Sequence, residues 1–106
     1  MNFQNCKELQ DFIKSGTGLR AVFVDSWEGA IQPPYIVVSK ARTDTVKADD
    51  KNYAKENRYY VSLFVKKTDT ETPEQLEELF DSNEIIYDTE TYWLHDLRLE
   101  CHEFEV

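Results

Sequence analysis

The stretch from Tyr53 to Asp69 reads YAKENRYYVSLFVKKTD, and its centre decides which fold the chain can adopt. From Tyr59 to Val65, apart from Ser62, apolar and aromatic residues occupy both of the alternating faces that a strand would present. A strand in a sheet with one wet face should instead alternate between apolar and polar side chains. The stretch therefore predicts a strand whose two faces are both covered.

The first half of the chain is predicted to begin with an amphipathic helix. Apolar residues follow one another at steps of three and four, Asn2 or Asn5 can cap the helix, and the Gly16-Thr17-Gly18 segment can end it. The elements predicted in this half are a helix over 3–15, strands over 19–24 and 35–39, and a polar hairpin tip or loop over 42–52.

The second half is predicted to contain the long strand over 53–67, a helix that ends at Asn83, and strands over 84–88 and 91–105. Thr72, Pro73 and Gln75 have the spacing of a capping box with proline at the first helical position. The last strand changes its apolar face after Cys101, which indicates either a bulge or burial on both sides. The predicted order is α-β-β-β-α-β-β.

These elements predict an α+β fold in a single domain over 1–106, with two helices packed on a mostly antiparallel sheet of four or five strands. Two helices cannot hide both faces of such a sheet from water. Either a partner subunit covers the remaining face, because large exposed apolar patches mark interfaces, or the sheet twists and folds over itself.

Charge is concentrated in the second half of the chain. The net charge is −9, to which residues 1–55 contribute +1 and residues 56–106 contribute −10. Such a surface repels phosphate backbones, so we expect no specific binding of nucleic acid. The acidity suits either a partner that carries basic residues or simple solubility.

The compartment is expected to be a reducing one. Cys6 and Cys101 are far apart and form no CxxC motif, the N-terminus has no signal pattern, and no apolar run approaches the ~20 residues of a membrane span. We therefore expect a protein that is made in the cytoplasm in soluble form and does not enter a membrane.

No combination of residues predicts catalysis, a cofactor or a metal site. His95-Asp96 lacks the further ligands that a metal hydrolase needs, so a turn capped by the aspartate is the simpler interpretation. Cys101 and His102 are neighbours on a strand and point to opposite faces, which predicts a buried cysteine and an exposed histidine rather than a catalytic pair.

Two sets of residues are candidates for surfaces that meet other molecules. Acidic residues at helical spacing predict a solvated acidic face on the second helix: Glu74, Glu77, Glu78 and Asp81. Aromatic residues near loops are either interface anchors or ordinary core residues: Trp27, Tyr35, Tyr53, Tyr92 and Trp93.

Several segments together resemble a known family. They are Pro33-Pro34-Tyr35-Ile36-Val37-Val38, Ala48-Asp49-Asp50-Lys51-Asn52-Tyr53, Asn57-Arg58-Tyr59-Tyr60-Val61-Ser62-Leu63-Phe64, Pro73-Glu74-Gln75-Leu76-Glu77-Glu78-Leu79-Phe80 and His102-Glu103-Phe104-Glu105-Val106. The chain is similar over nearly its whole length to the small tail-completion, or head-to-tail joining, proteins of long-tailed bacteriophages of Gram-positive bacteria.

The resemblance implies a non-enzymatic virion component at the tail or neck. Such proteins resemble tail terminators, which form a ring, commonly a hexamer, on the tail tube and offer a surface to the head connector. The expected partners are therefore copies of the chain itself, tail-tube proteins and head-connector proteins. We also expect that the acidic half, if it lines the channel, keeps DNA from sticking. The rival hypothesis is a small acidic binding module that inhibits or sequesters a basic host or phage protein.

Overall fold

The computed structural model describes residues 3–25, 32–47 and 53–106, and side chains over 3–25, 32–41 and 57–106. The elements are α1 (Cys6–Thr17), β1 (Val22–Val24), β2 (Tyr35–Lys47), β3 (Tyr53–Val65), α2 (Glu71–Ser82), β4 (Asp88–Leu94) and β5 (Leu99–Glu105). The strands form one five-stranded sheet in the spatial order β1-β2-β3-β5-β4. β1 pairs with β2 in parallel and every other pair is antiparallel, which confirms the predicted α+β fold and element order.

Helix α1 is held at both ends by the residue types that the sequence offers there. The Asn5 side chain accepts a hydrogen bond from the backbone N–H of Glu8 at 2.9 Å, so the helix begins three residues later than predicted. At the other end Gly18 adopts the left-handed conformation with φ 76°, and its N–H bonds to the carbonyl of Lys14 at 3.0 Å. The first strand is shorter than the predicted 19–24, since the chain is still leaving the helix cap at Arg20.

The hairpin of β2 and β3 is longer than the sequence predicted. Residues 42–47, expected in a loop or hairpin tip, continue β2 and pair one to one with residues 53–58 of β3. The polar composition of this stretch misled the prediction, because backbone pairing and not hydrophobicity makes it a strand. The register shifts between Lys40 and Arg42, where β2 is irregular. Residues 48–52 lie outside the described part of the chain.

The N-terminal cap of α2 differs from the predicted capping box. Thr72 lies within the first turn, and Thr70 stands at the N-cap without a side-chain bond. The Asp69 carboxylate instead accepts hydrogen bonds from the backbone N–H and the hydroxyl of Thr72, at 3.1 and 2.7 Å. The prediction that Thr72 and Gln75 cap each other was therefore wrong, because an acceptor lies three residues further upstream. Asn83 ends the helix as predicted.

The C-terminal part of the chain is a hairpin and not strands over 84–88 and 91–105. Residues 83–87 lead from α2 into β4 without strand structure, and a four-residue turn over 95–98 separates β4 from β5. Arg98 closes this turn in the left-handed conformation, with φ 54°. The register of β5 with β3 and with β4 is continuous, so the change of apolar face in the sequence reflects burial on both sides and no bulge.

Both helices pack on the same face of the sheet, which we call the helix-covered face. Leu9 and Ile13 of α1 and Leu76 and Phe80 of α2 are fully buried there. They pack against a single cluster of strand residues: Val22, Ile36, Val38, Tyr59, Val61, Leu63, Val65, Phe104 and Val106. The opposite face carries no helix of the described chain, and we call it the open face.

Helices α1 and α2 meet at a glycine. A methyl group added to Gly16 would lie within 3.0 Å of Leu79 Cγ and closer still to its two methyl carbons. A side chain at position 16 would therefore have to displace the Leu79 side chain or the helix that carries it.

Candidate interaction site

A row of four side chains crosses the open face from β2 to the outer strand β4. Tyr35 pairs with Phe64, Phe64 with Cys101, and Cys101 with Tyr92. The Tyr35 and Phe64 rings are stacked with centroids 4.7 Å apart. Tyr35 and Cys101 are buried, Phe64 is half-buried and Tyr92 is 42% exposed. We call these four residues the open-face row, and of the four only Tyr92, on β4, is exposed.

Beside this row the open face carries four carboxylates, the open-face acids: Asp88, Glu90, Glu103 and Glu105. Glu90 lies directly opposite Glu103 and Asp88 directly opposite Glu105 on the neighbouring strand. Like charges in such cross-strand pairs repel each other and destabilise a sheet. Two contacts moderate the repulsion: the Tyr92 hydroxyl donates to Glu103 at 2.9 Å, and Arg58 Nε lies 4.0 Å from Glu105 Oε1.

Tyr92 links the open-face row to the acids. Its hydrogen bond to Cys101, its burial and its hydrogen bond to Glu103 together raise the pKa of Tyr92 above the ordinary value. The hydroxyl therefore stays protonated and remains a donor to the carboxylate at any physiological pH. One end of the ring belongs to an apolar row and the other to an acidic patch, which is typical of tyrosine at protein interfaces.

The outer strand β4 is the last strand in the sheet order. Residues 88–93 are all exposed, and over the described chain no backbone hydrogen bond leaves the outer side of the strand. Trp93 faces the helix-covered side, where Lys67 Nζ lies 5.9 Å from its ring centroid and the His95 ring packs at 6.3 Å. β4 therefore offers an edge of unpaired backbone groups with an aromatic ring on each face.

The exposed apolar side chains concentrate around the same strand. Five large apolar side chains of the described chain are exposed, and Tyr60 alone lies away from β4. The other four are Ile86 at 84%, Tyr92 at 42%, Trp93 at 39% and Leu97 at 49%. Exposed apolar residues that cluster in one place mark an interaction surface more reliably than scattered ones do.

The five aromatic residues chosen from the sequence have different positions. Tyr92 and Trp93 lie on β4 and are exposed, whereas Tyr35 is 2% exposed and belongs to the buried end of the open-face row. Trp27 and the side chain of Tyr53 lie outside the described residues. The structure therefore brings two of the five together, on opposite faces of one strand.

The acidic residues of α2 lie on the outer side of the helix. Glu74, Glu78 and Asp81 are exposed and Glu77 is half-buried. They lie on the helix-covered side of the sheet and are separate from the open-face acids. Sequence reasoning missed the second group, although acids recur at every second position in Asp88-Thr89-Glu90 and again in Glu103-Phe104-Glu105.

Cys101 and His102 lie on opposite faces of β5, as the alternation of a strand predicts. Burial raises the pKa of the Cys101 thiol, so the thiolate that a nucleophile needs is disfavoured. The expectation of an exposed histidine was wrong, since the His102 side chain is only 14% exposed. Its Nε2 lies 2.9 Å from Glu100 Oε1, outside hydrogen-bond angles, and its Nδ1 lies 3.2 Å from the Thr91 hydroxyl.

His95 and Asp96 lie in the turn between β4 and β5. Over the described residues, no three or more His, Cys, Asp or Glu side chains are placed to hold a metal ion. None of the described helices is long and apolar enough to cross a membrane.

The chain matches no protein-family model, and no curated protein sequence matches it closely.

Proposed function

We propose that this protein is a structural component of the head–tail junction of a long-tailed bacteriophage. It completes the tail tube and joins it to the head connector by associating with copies of itself and with its neighbours in the virion. The proposal begins from the resemblance of its segments to tail-completion proteins, and the open face of the sheet is the observation that carries it.

The open face supports a role in assembly for a physical reason. Phe23, Val37 and Phe64 are half-buried on this face, although no helix of the described chain covers it. Contact with another subunit would remove this apolar area from water, at about 25 cal/mol per Å². In a closed ring each subunit contacts the next through two different surfaces, one on each side. This chain has two unlike sides, the open face and the side that carries the helices, and so suits such an assembly.

The proposed role needs no chemistry at the surface. It needs a rigid scaffold that holds the open face and β4 in fixed positions, and the fully buried core on the helix-covered face supplies that rigidity. The acidic second half would face the DNA path if the ring encloses it, and repulsion from phosphate would let the genome pass.

The test is deletion of the gene from a phage that carries it, followed by electron microscopy of the particles. Overlong tail tubes, or heads and tails that remain unjoined, are expected. Tails of normal length joined to heads would contradict the proposal. Sedimentation of the purified chain complements this test. The chain is measured over a range of concentrations and again with tail tubes added, and we expect rings to form on the tubes.

A second candidate function is a small acidic module that binds a basic protein. The observation that favours it is the open-face acids, whose cross-strand repulsion a cationic partner would relieve. A chain that binds a basic host or phage protein as a monomer, in a phage whose tails are normal without it, would support this candidate over the first.

A further inference from the structure

We propose that the outer edge of β4 binds an extended, lysine- or arginine-rich segment of another protein, which adds to the sheet as a sixth strand. This inference rests on the proposal that the chain works by docking with other proteins. It adds which strand docks and what chemistry the docking segment has.

The outer backbone edge of β4 is the first feature that suits the addition of a strand. The strand is seven residues long, is paired only with β5, and has an outer side from which no backbone hydrogen bond leaves over the described chain. An edge of this length is a template for strand addition unless charge, proline or a covering element protects it. β4 contains no proline, and its residues 88–93 are exposed. Its only charged side chains, Asp88 and Glu90, are both acidic, so they oppose an acidic or self-paired strand but not a basic one.

The exposed apolar side chains on and beside β4 are the second feature. Tyr92 lies on the open face of the strand and Trp93 on the other, while Ile86 and Leu97 stand exposed just before and just after it. An added strand would pack its alternate residues against Tyr92 on one face and Trp93 on the other. This apolar surface would be removed from water only when the edge is occupied.

Charge decides which occupant fits. Asp88 and Glu90 alternate on the open face of β4, with Glu103 and Glu105 opposite them on β5. A strand added beyond β4 would place every second residue beside Asp88 and Glu90. Lysine or arginine at those positions would form cross-strand pairs of opposite charge and relieve the repulsion among the four carboxylates.

A second copy of the chain fits this edge less well. Antiparallel pairing of β4 with itself about Thr91 would place the two Glu90 side chains on a cross-strand diagonal, roughly 7–8 Å apart. Each copy would also bring its own four open-face acids and a net charge of −9. A basic extended segment meets the same backbone edge without this repulsion.

The experiment uses the full chain and a synthetic nine-residue peptide in which lysine alternates with threonine and valine, with both ends blocked. Calorimetric titration at low salt is expected to show saturable binding, and amide exchange is expected to slow at alternate residues of β4. A matched peptide with glutamate in place of lysine should not bind. Failure of the lysine peptide to bind would overturn the proposal.

Two matched controls separate strand addition from simple charge attraction. Glu90→Lys should weaken binding about tenfold or more, whereas Glu78→Lys, the same charge change on the exposed side of α2, should have little effect. Methylation of alternate peptide nitrogens keeps every charge but removes the ladder hydrogen bonds, and it should abolish binding. Equal effects of the two variants, or full binding of the methylated peptide, would overturn the proposal.

Other occupants are outcomes of the same experiment. A chain that dimerises without peptide, with amide exchange slowed at alternate residues of β4 in the dimer, would assign the edge to a second copy and overturn the basic segment. Normal tail length after gene deletion would contradict the virion role and leave peptide binding unaffected, so the two proposals fail separately.

Discussion

The two faces of β3 differ although their residues alternate along one strand. Val61 and Leu63 are fully buried beneath the helices, whereas Tyr60 is 36% exposed and Ser62 is half-buried on the open face. Phe64 stacks on Tyr35 there and is still partly accessible. The comparison shows that apolar residues can occupy both faces of a strand although the described helices cover only one of them.

The largest expected effect contrasts a phenylalanine on each face. Phe104 is fully buried on the helix-covered face, with ring centroids 5.6 Å from Phe80 and 5.4 Å from Tyr87. Phe104→Ala should lower the free energy of unfolding by about 3–5 kcal/mol. Phe64→Ala should cost about 1–2 kcal/mol, because part of that ring is already in water. Urea denaturation of the monomer measures both, and equal losses would mean that the open face is as well covered as the other.

The next prediction tests how closely helices α1 and α2 pack against each other on the helix-covered face. Gly16→Ala adds a methyl group against Leu79, and we expect a net loss of about 1 kcal/mol, since overpacking outweighs the gain in helix propensity. In a Leu79→Ala background the clash disappears, so the same substitution should stabilise the chain by up to about 1 kcal/mol.

The control for this pair is the double-mutant cycle itself. A Gly16→Ala effect of the same sign and size in both backgrounds would mean that the two helices adjust their spacing freely.

A smaller effect concerns pH and compares one buried tyrosine on each face. Burial raises the pKa of Tyr59 on the helix-covered face and of Tyr35 on the open face. In the unfolded chain both ionise near pH 10, while the folded chain keeps both neutral. The stability they contribute is present below that pH and is lost as the pH rises above it.

Tyr59→Phe and Tyr35→Phe should each make the fall in the free energy of unfolding above pH 10 less steep. Denaturation series between pH 8 and pH 12 measure the slope. A change for Tyr59→Phe alone would show that Tyr35 gains its protection only in an assembled state.

The smallest effect lies on the open face. Glu90→Gln removes the repulsion with Glu103 and should raise the free energy of unfolding by about 0.2–1 kcal/mol at low ionic strength. The gain should shrink in 1 M salt, where the Debye length is about 3 Å. Glu78→Gln serves as the control, since no strand partner faces it, and a salt-independent gain would point to a cause other than charge.

Much of the fold could be predicted because its signals are local. Helix stripes, the left-handed Gly18 and the stop at Asn83 each act within a few residues of the chain, and they gave the correct element order. The boundaries failed in one place where a tertiary contact decided them, and in another where a local cap had a different acceptor. Residues 42–47 are a strand only because they pair with β3, and α2 is capped by an aspartate that the capping-box pattern did not include.

The candidate site was less predictable because it depends on which residues of neighbouring strands lie opposite each other. Tyr92 and Trp93 could be selected from the sequence by residue type, and the structure shows them exposed on an outer strand. The open-face acids depend on the register between β4 and β5, which a turn of four residues fixes and which the predicted single strand over 91–105 concealed. A period-two search for like charges in the two segments would have suggested the patch.

The length of the β2–β3 hairpin has a consequence for spacing. Before Tyr59, whose backbone bonds to Val106, β3 pairs with β2 alone over the described chain, so the pairs between residues 42–47 and 53–58 extend beyond the other strands as a two-stranded ribbon. The molecule is accordingly 51 Å long and only 26 Å across. At about 3.4 Å per residue, removing two pairs would shorten the projection by about 7 Å. The number of residue pairs in the ribbon therefore sets how far its last described pair, Lys47 with Tyr53, stands from the five-stranded body.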